Sequence, residues 1–212
     1  VALGYDAYSI KETGKDHHGN FLPLKAVESF GDWKPAGYFY AIIPFLYIFD
    51  LGVVAVRMPS VVAGLLIVLG LYKIARFYSV NPYWAAFVAA ISPWAIHFSR
   101  GGWEANMATA ALLWGVYYGK KGLIDKKMRA PELICSLLIF GVAVYTYHAA
   151  RVIAPVLFAG LLIEHFLLQI SFSKRELLGF FQKNGVILLI ITCIGTAIIA
   201  PFVLDLSNAQ VS

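Results

Sequence analysis

The chain has 212 residues, of which 60% are hydrophobic and only 14% charged, with a mean hydropathy of +0.73. Soluble domains hold about 45–50% apolar and about 25% charged residues, so an ordinary soluble globule is excluded and a polytopic membrane protein is indicated. A net charge of +5 and a pI near 9.1 do not point to nucleic acid, because the basic residues are scattered through short connections between apolar runs and form no single patch.

Residues 1–35 are polar and mixed in charge, with turn residues at Gly14, Gly19-Asn20, Pro23 and Gly31-Asp32. Tyr5, Tyr8 and Ile10 are expected on one face of a short surface helix that stops at Thr13-Gly14. The run 35–49 is apolar and aromatic but shorter than the roughly 20 residues a span needs. It reads as an interfacial or re-entrant helix, with Tyr38, Tyr40 and Tyr47 at headgroup depth. A tilted span reaching Val56, with Asp50 snorkelled, is the alternative.

Beyond Met58 about six spans are predicted, at 58–76, 83–98, 104–119, 132–149, 152–170 and 185–204. Alternate connections are basic: Lys73 and Arg76, then Lys120, Lys121, Lys126, Lys127 and Arg129, then Lys174, Arg175 and Lys183. They are expected on the cytoplasmic side. The opposite face then holds residues 1–57, the corners near Ser99–Trp103 and Ala150–Arg151, and most of the acidic residues, including Asp6, Asp16, Asp32, Asp50 and Glu104. The expected fold is all-α, a polytopic membrane helical bundle over 58–204 with an extracytoplasmic loop at 1–57 carrying interfacial helices. Residues 205–212 read as the start of a further outer segment, and with no initiator methionine, no signal peptide and this polar end, the expectation is a fragment of a longer protein.

Chemistry is expected where charge meets the outer ends of the spans. Within S-P-W-A-I-H-F-S-R-G-G-W-E-A-N, residues 92–106, Arg100 and Glu104 flank Gly101-Gly102 in a polar corner between two apolar runs. Four residues apart, they would share a helix face unless the glycines break it, and a purely structural pair is an equal alternative. His97 faces the same pocket or is satisfied locally. Lys34, just before Pro35, sits where an anionic headgroup phosphate would lie, either as a specific contact or by ordinary snorkelling. Tyr145-Thr146-Tyr147-His148-Ala149-Ala150-Arg151 offers donors for a phosphate, or belt aromatics alone, with Arg57 a weaker member of the set. Glu164-His165 is expected to snorkel at the inner end, and Cys135 and Cys193, inside apolar runs, read as packing residues. No P-loop, G-x-G-x-x-G, G-x-S-x-G or H-E-x-x-H motif is present.

Four stretches, taken in order, resemble bacterial members of the GT-C membrane glycosyltransferases, relatives of protein O-mannosyltransferases and lipid A aminoarabinose transferases. They are G-Y-D-A-Y-S-I-K-E-T-G-K-D-H-H-G-N-F-L-P-L, G-D-W-K-P, A-V-R-M-P-S-V-V-A-G-L and the corner motif above, and the resemblance runs from residue 1 to about 160. It implies transfer of a hexose or pentose from a polyprenyl-phosphate donor to a glycan, lipid or protein acceptor at the outer face of a bacterial plasma membrane. Carried over by motif, the resemblance implies that Glu104 is a catalytic acidic residue and that Lys34 and Arg100 bind the donor phosphate; Tyr147 and Arg151, from the outer cluster above, are expected to join them. The family's first Asp-Glu pair would fall just upstream of Val1, leaving Asp6 as the nearest substitute, out of register. Trp33 stands where some relatives carry a metal-binding glutamate, so neither a metal nor another cofactor is expected. The competing class is a transporter or flippase subunit for a lipid-linked substrate, which would need polar residues or broken helices near the midplane.

Overall fold

The computed structural model describes residues 2–29, 31–124, 128–169 and 174–209. The expected loop residues Lys126 and Lys127 and the end of the expected outer segment, 210–212, lie outside the described residues. The chain is a helical membrane bundle of α1 (Ala2–Thr13), α2 (Gly37–Phe49), α3 (Val53–Ala75), α4 (Pro82–Ile91), α5 (Pro93–Arg100), α6 (Glu104–Gly122), α7 (Ala130–Thr146), α8 (Ala150–Gln169) and α9 (Lys174–Ala209). Among the described residues three segments are long and apolar enough to cross a membrane: Val53–Ala75, Ala150–Leu167 and Gln182–Phe202. Side chains such as Leu65, Val152, Val186 and Leu189 stand more than 60% exposed on them, as lipid-facing residues do.

The predicted run 83–98 is two helices, not one. Asn81 caps α4 by accepting from the amides of Tyr83 and Trp84, with Pro82 at the first helical position. Pro93 then clashes with a helical Ser92, which is extended at ψ 123, and restarts the chain as α5. At 17 residues α7 is shorter than a full span, whereas α9 continues unbroken through both ends of its predicted run.

Strand β1 (Ala26–Ser29) pairs antiparallel with β2 (Asp32–Pro35), a hairpin that the turn residues hinted at but that no expectation included. It packs with α1 and α2 into a small core of Ala7, Ile10, Val27, Phe39 and Ile42 at one end of the bundle. Ile10 is therefore inward, while Tyr5 and Tyr8, which were expected to share its face, are exposed. Helix α2 ends at Asp50, so no tilted span reaches Val56. Of its three tyrosines only Tyr47 is exposed as a belt residue would be. Tyr38 is fully buried and donates to the Val56 carbonyl, 2.9 Å away, and Tyr40 donates to the Pro23 carbonyl at 3.0 Å.

Helices α3, α5 and α6 are tied together by buried polar groups. The Asn106 side-chain amide donates to the Ser60 carbonyl at 2.8 Å, and the Ser60 hydroxyl donates to the Phe98 carbonyl at 2.7 Å. A buried amide satisfied this way costs little and specifies one arrangement of the three helices. At the opposite end Glu164 does not snorkel but pairs with Lys120, and His165 is buried against the Leu123 carbonyl at 2.8 Å. Cys135 and Cys193 are free and exposed, not packed.

Candidate active site

Glu104 opens α6 immediately after Gly101-Gly102, where α5 has ended at Arg100. Gly102 lies close against α3: a Cβ there would lie 3.2 Å from Val56 Cγ1, 3.4 Å from the Val56 carbonyl and 3.7 Å from the Tyr38 hydroxyl. The turn thus presses against α3 and sets Glu104 in a half-buried position. Burial pushes its carboxyl above the ordinary 4.5, opposed by the positive charge of Lys34 and of His148 when protonated, while Asp32 adds to the rise. The positive end of α6 also favours its anion.

Lys34 reaches the same place from β2, where it is an outer partner of Asp32 at 3.8 Å. Asp32 is largely exposed and the 3.8 Å contact is long, so the pair holds little and leaves the ammonium available to a ligand. The strand is anchored on both sides. His148, in the connection between α7 and α8, bonds through Nε2 to the Trp33 carbonyl at 3.1 Å. Just after Pro35, Gly37 lies so close to the end of α7 that a Cβ would come within 2.5 Å of Thr146 Oγ1 and 2.8 Å of the Tyr145 carbonyl. Three distant stretches, 32–37, 104 and 146–148, thereby meet at one end of the bundle.

The other expected residues are placed elsewhere. Arg100 makes no ion pair with Glu104; with Arg57 and His97 it lines a cavity of about 630 Å³ whose lining includes Gly101 and Trp103 but not Glu104. Asp6 is fully buried, accepting from Ser29 Oγ at 2.7 Å and in contact with His17 Nδ1, so it ties α1 to the hairpin and does not join Glu104. Tyr147 packs against the alanines that join α6 and α7, and Arg151 stacks its guanidinium 4.1 Å over the Phe202 ring of α9. Lys34 alone of the expected phosphate contacts stands with Glu104. His148 and Asp32, both noted in the sequence without a role beside Glu104, complete the cluster. Their common signal was position at the outer ends of different elements, which spacing along the chain cannot pair.

One turn of α6 beyond Glu104, Met107 begins the wall of an apolar groove of about 450 Å³. Ala41 and Phe45 of α2, Leu66 of α3, and Trp114 and Ile139 line it further down, and Trp114 is locked by donating to the Leu66 carbonyl at 3.0 Å. Among the described residues no group of three or more His, Cys, Asp or Glu side chains is placed to hold a metal ion.

A carboxylate and a cation at the mouth of a greasy groove suit a substrate whose tail stays in the bilayer and whose reactive head emerges from it. The chain is accordingly a multi-pass membrane glycosyltransferase in class. Residues 33–203 match the family model described as dolichyl-phosphate-mannose-protein mannosyltransferase, and the chain belongs to that family. It is a glycosyltransferase of the GT-C type that uses a polyprenyl-phosphate sugar donor. No curated protein and no solved structure matches the chain significantly.

Proposed function

We propose that this enzyme transfers a hexose from a polyprenyl-phosphate donor to an acceptor hydroxyl at the extracytoplasmic face of a bacterial plasma membrane. The observation that carries the proposal is the half-buried Glu104 beside Lys34, one helical turn from the apolar groove. The donor's polyprenyl chain lies along the groove and its phosphate meets Lys34. Glu104 takes the proton of the acceptor hydroxyl as its oxygen bonds to the anomeric carbon. The bond from that carbon to the phosphate oxygen breaks, with inversion, and the electron pair leaves on the phosphate, where the ammonium stabilises it. A carboxyl raised by burial is a better base than an ordinary one yet ionises readily beside Lys34. His148 keeps the lysine strand in place through the Trp33 carbonyl. The outward orientation is supported by Lys73, Arg76, Lys120 and Lys121, which cluster at the opposite ends of α3 and α6.

The test is sugar transfer from radiolabelled polyprenyl-phosphate mannose in membranes holding the full-length protein. Glu104→Gln is expected to lower transfer by roughly 10²–10⁴-fold and Lys34→Ala by roughly 10²-fold, at unchanged membrane levels. Undiminished transfer in both variants removes the site. Absence of transfer in the wild type across a panel of polyprenyl-phosphate sugars favours the lipid-linked transporter instead, which the broken α4–α5 pair would suit.

A further inference from the structure

We infer that Arg57, His97 and Arg100 form a second anion site, separate from Lys34, that holds the phosphate of an anionic lipid headgroup. Three observations converge on it. The two arginines and His97 line one open cavity of about 630 Å³ whose remaining wall is apolar, with Ile91, Pro93, Ile96 and Trp103. Among the described residues, neither arginine nor His97 has a hydrogen bond or ion pair, so their donors are available to a ligand. Two guanidiniums can each present a planar fork to phosphate oxygens, a stronger and more directional grip than a lysine offers.

The depth of the cavity identifies the source of the phosphate. Arg57 stands near the beginning of Val53–Ala75, a segment long enough to cross the bilayer, and so lies near headgroup level. Around it Val53, Val54, Ile91 and Trp94 are each more than half exposed, an apolar rim on which acyl chains can lie, with a tryptophan where interfacial rings concentrate. Arg57 also lines a neighbouring cavity of about 550 Å³ with Leu51, Val53 and Val56, which extends that apolar surface toward α1. A soluble phosphate would use the cations and leave the rim idle, whereas a phospholipid uses both.

Gly101 and Trp103 line this cavity, and Glu104 follows Trp103 directly at the start of α6. A lipid held there is beside the transfer site without occupying it. As an approach for a phosphate-bearing acceptor the site rests on the transferase proposal, but lipid binding does not, and the two can fail separately.

The experiment titrates the detergent-solubilised full-length protein with dioctanoyl phosphatidic acid, dioctanoyl phosphatidylcholine and inorganic phosphate. Fluorescence of Trp103, taken as the signal lost in Trp103→Phe, reports occupancy. Phosphatidic acid is expected to bind at least tenfold more tightly than either of the other two. Arg57→Gln with Arg100→Gln should weaken it by roughly 10²–10⁴-fold, since two charged hydrogen-bonding groups are lost together. Lys34→Ala should leave it within about twofold while lowering sugar transfer. Arg57→Lys with Arg100→Lys, which keeps the charge, should recover part of the affinity and guards against a folding defect. Equal affinity for inorganic phosphate overturns the lipid assignment. Equal affinity for phosphatidylcholine, or binding lost with Lys34→Ala and kept in the double glutamine variant, overturns the site. Loss of sugar transfer in the wild type, with phosphatidic acid still bound as described, would sink the transferase proposal alone.

Discussion

The two ends of the bundle handle charge in opposite ways. At the basic end Lys120 pairs with Glu164, lies 4.8 Å over the Tyr78 ring, and so joins α6, α8 and the stretch after α3, while Lys121 reaches Glu132 at 3.9 Å. At the other end Glu104 is half-buried without a salt-bridge partner, Lys34 has only an exposed aspartate, and Arg57 and Arg100 make no ion pair among the described residues. Charge at the first end is spent on holding helices together. At the second, Asp6 ties α1 to the hairpin, but Glu104, Arg57 and Arg100 are left without a salt bridge among the described residues, with the consequence of a carboxyl that the fold itself disfavours ionising.

Exchanging damage between the two ends would break this contrast most directly. Glu104→Gln should abolish most transfer with little change in thermal midpoint, whereas Lys120→Met should leave transfer within about twofold and destabilise the protein by roughly 1–3 kcal/mol, read by thermal unfolding in detergent. Equal effects of the two changes on transfer would erase the distinction. Gly37→Ala should come next, at roughly 1–3 kcal/mol, because its methyl must displace the Thr146 side chain and the Tyr145 carbonyl; it should also lower transfer by loosening the strand that carries Lys34.

The pH dependence sharpens the comparison. Since burial raises the Glu104 carboxyl above 4.5, the base is protonated at acid pH, and transfer should climb as pH rises through a midpoint above that value. Stability should move the other way. The folded state disfavours the anion, so a cost absent below about 4.5 appears as pH rises and is complete above the folded-state midpoint. Glu104→Gln should therefore flatten the acid limb of the melting curve, whereas Lys120→Met should not. The smallest effect is expected from Tyr38→Phe, which removes the hydrogen bond to the Val56 carbonyl behind Gly102 and should cost about 1 kcal/mol in thermal unfolding.

Much of this architecture was legible in the residues. Three of the six apolar runs became segments long and apolar enough to cross a membrane among the described residues, Gly101-Gly102 marked the break before Glu104, and the corner and D-W-K-P motifs carried the family. The hairpin escaped because four-residue strands such as A-V-E-S and D-W-K-P leave almost no alternation to read. Pro93 was visible, yet a continuous apolar run outweighed it, although a proline excludes helix at the residue before it. Asp6 looked available because its partners, His17 and Ser29, lie 11 and 23 residues away and arrive only by folding. Tyr147 and Arg151 share an end of the bundle with Lys34 but are turned toward α6 and α9. Sequence supplied the end of the bundle on which each group stands; which groups face one another depended on helix phase and on glycine contacts between elements far apart in the chain.

The bond from His148 to the Trp33 carbonyl links positions 115 residues apart, and this sets a schedule for biosynthesis. While the chain is being inserted, the hairpin can pack on α1 and α2, but the strand that carries Lys34 gains its His148 brace only when α7 has been threaded and its far end has returned to the same face. A nascent chain therefore carries Lys34 and Glu104 without this brace until residue 148 has been made, and a chain arrested before that point is expected to bind donor less well than one that has passed it.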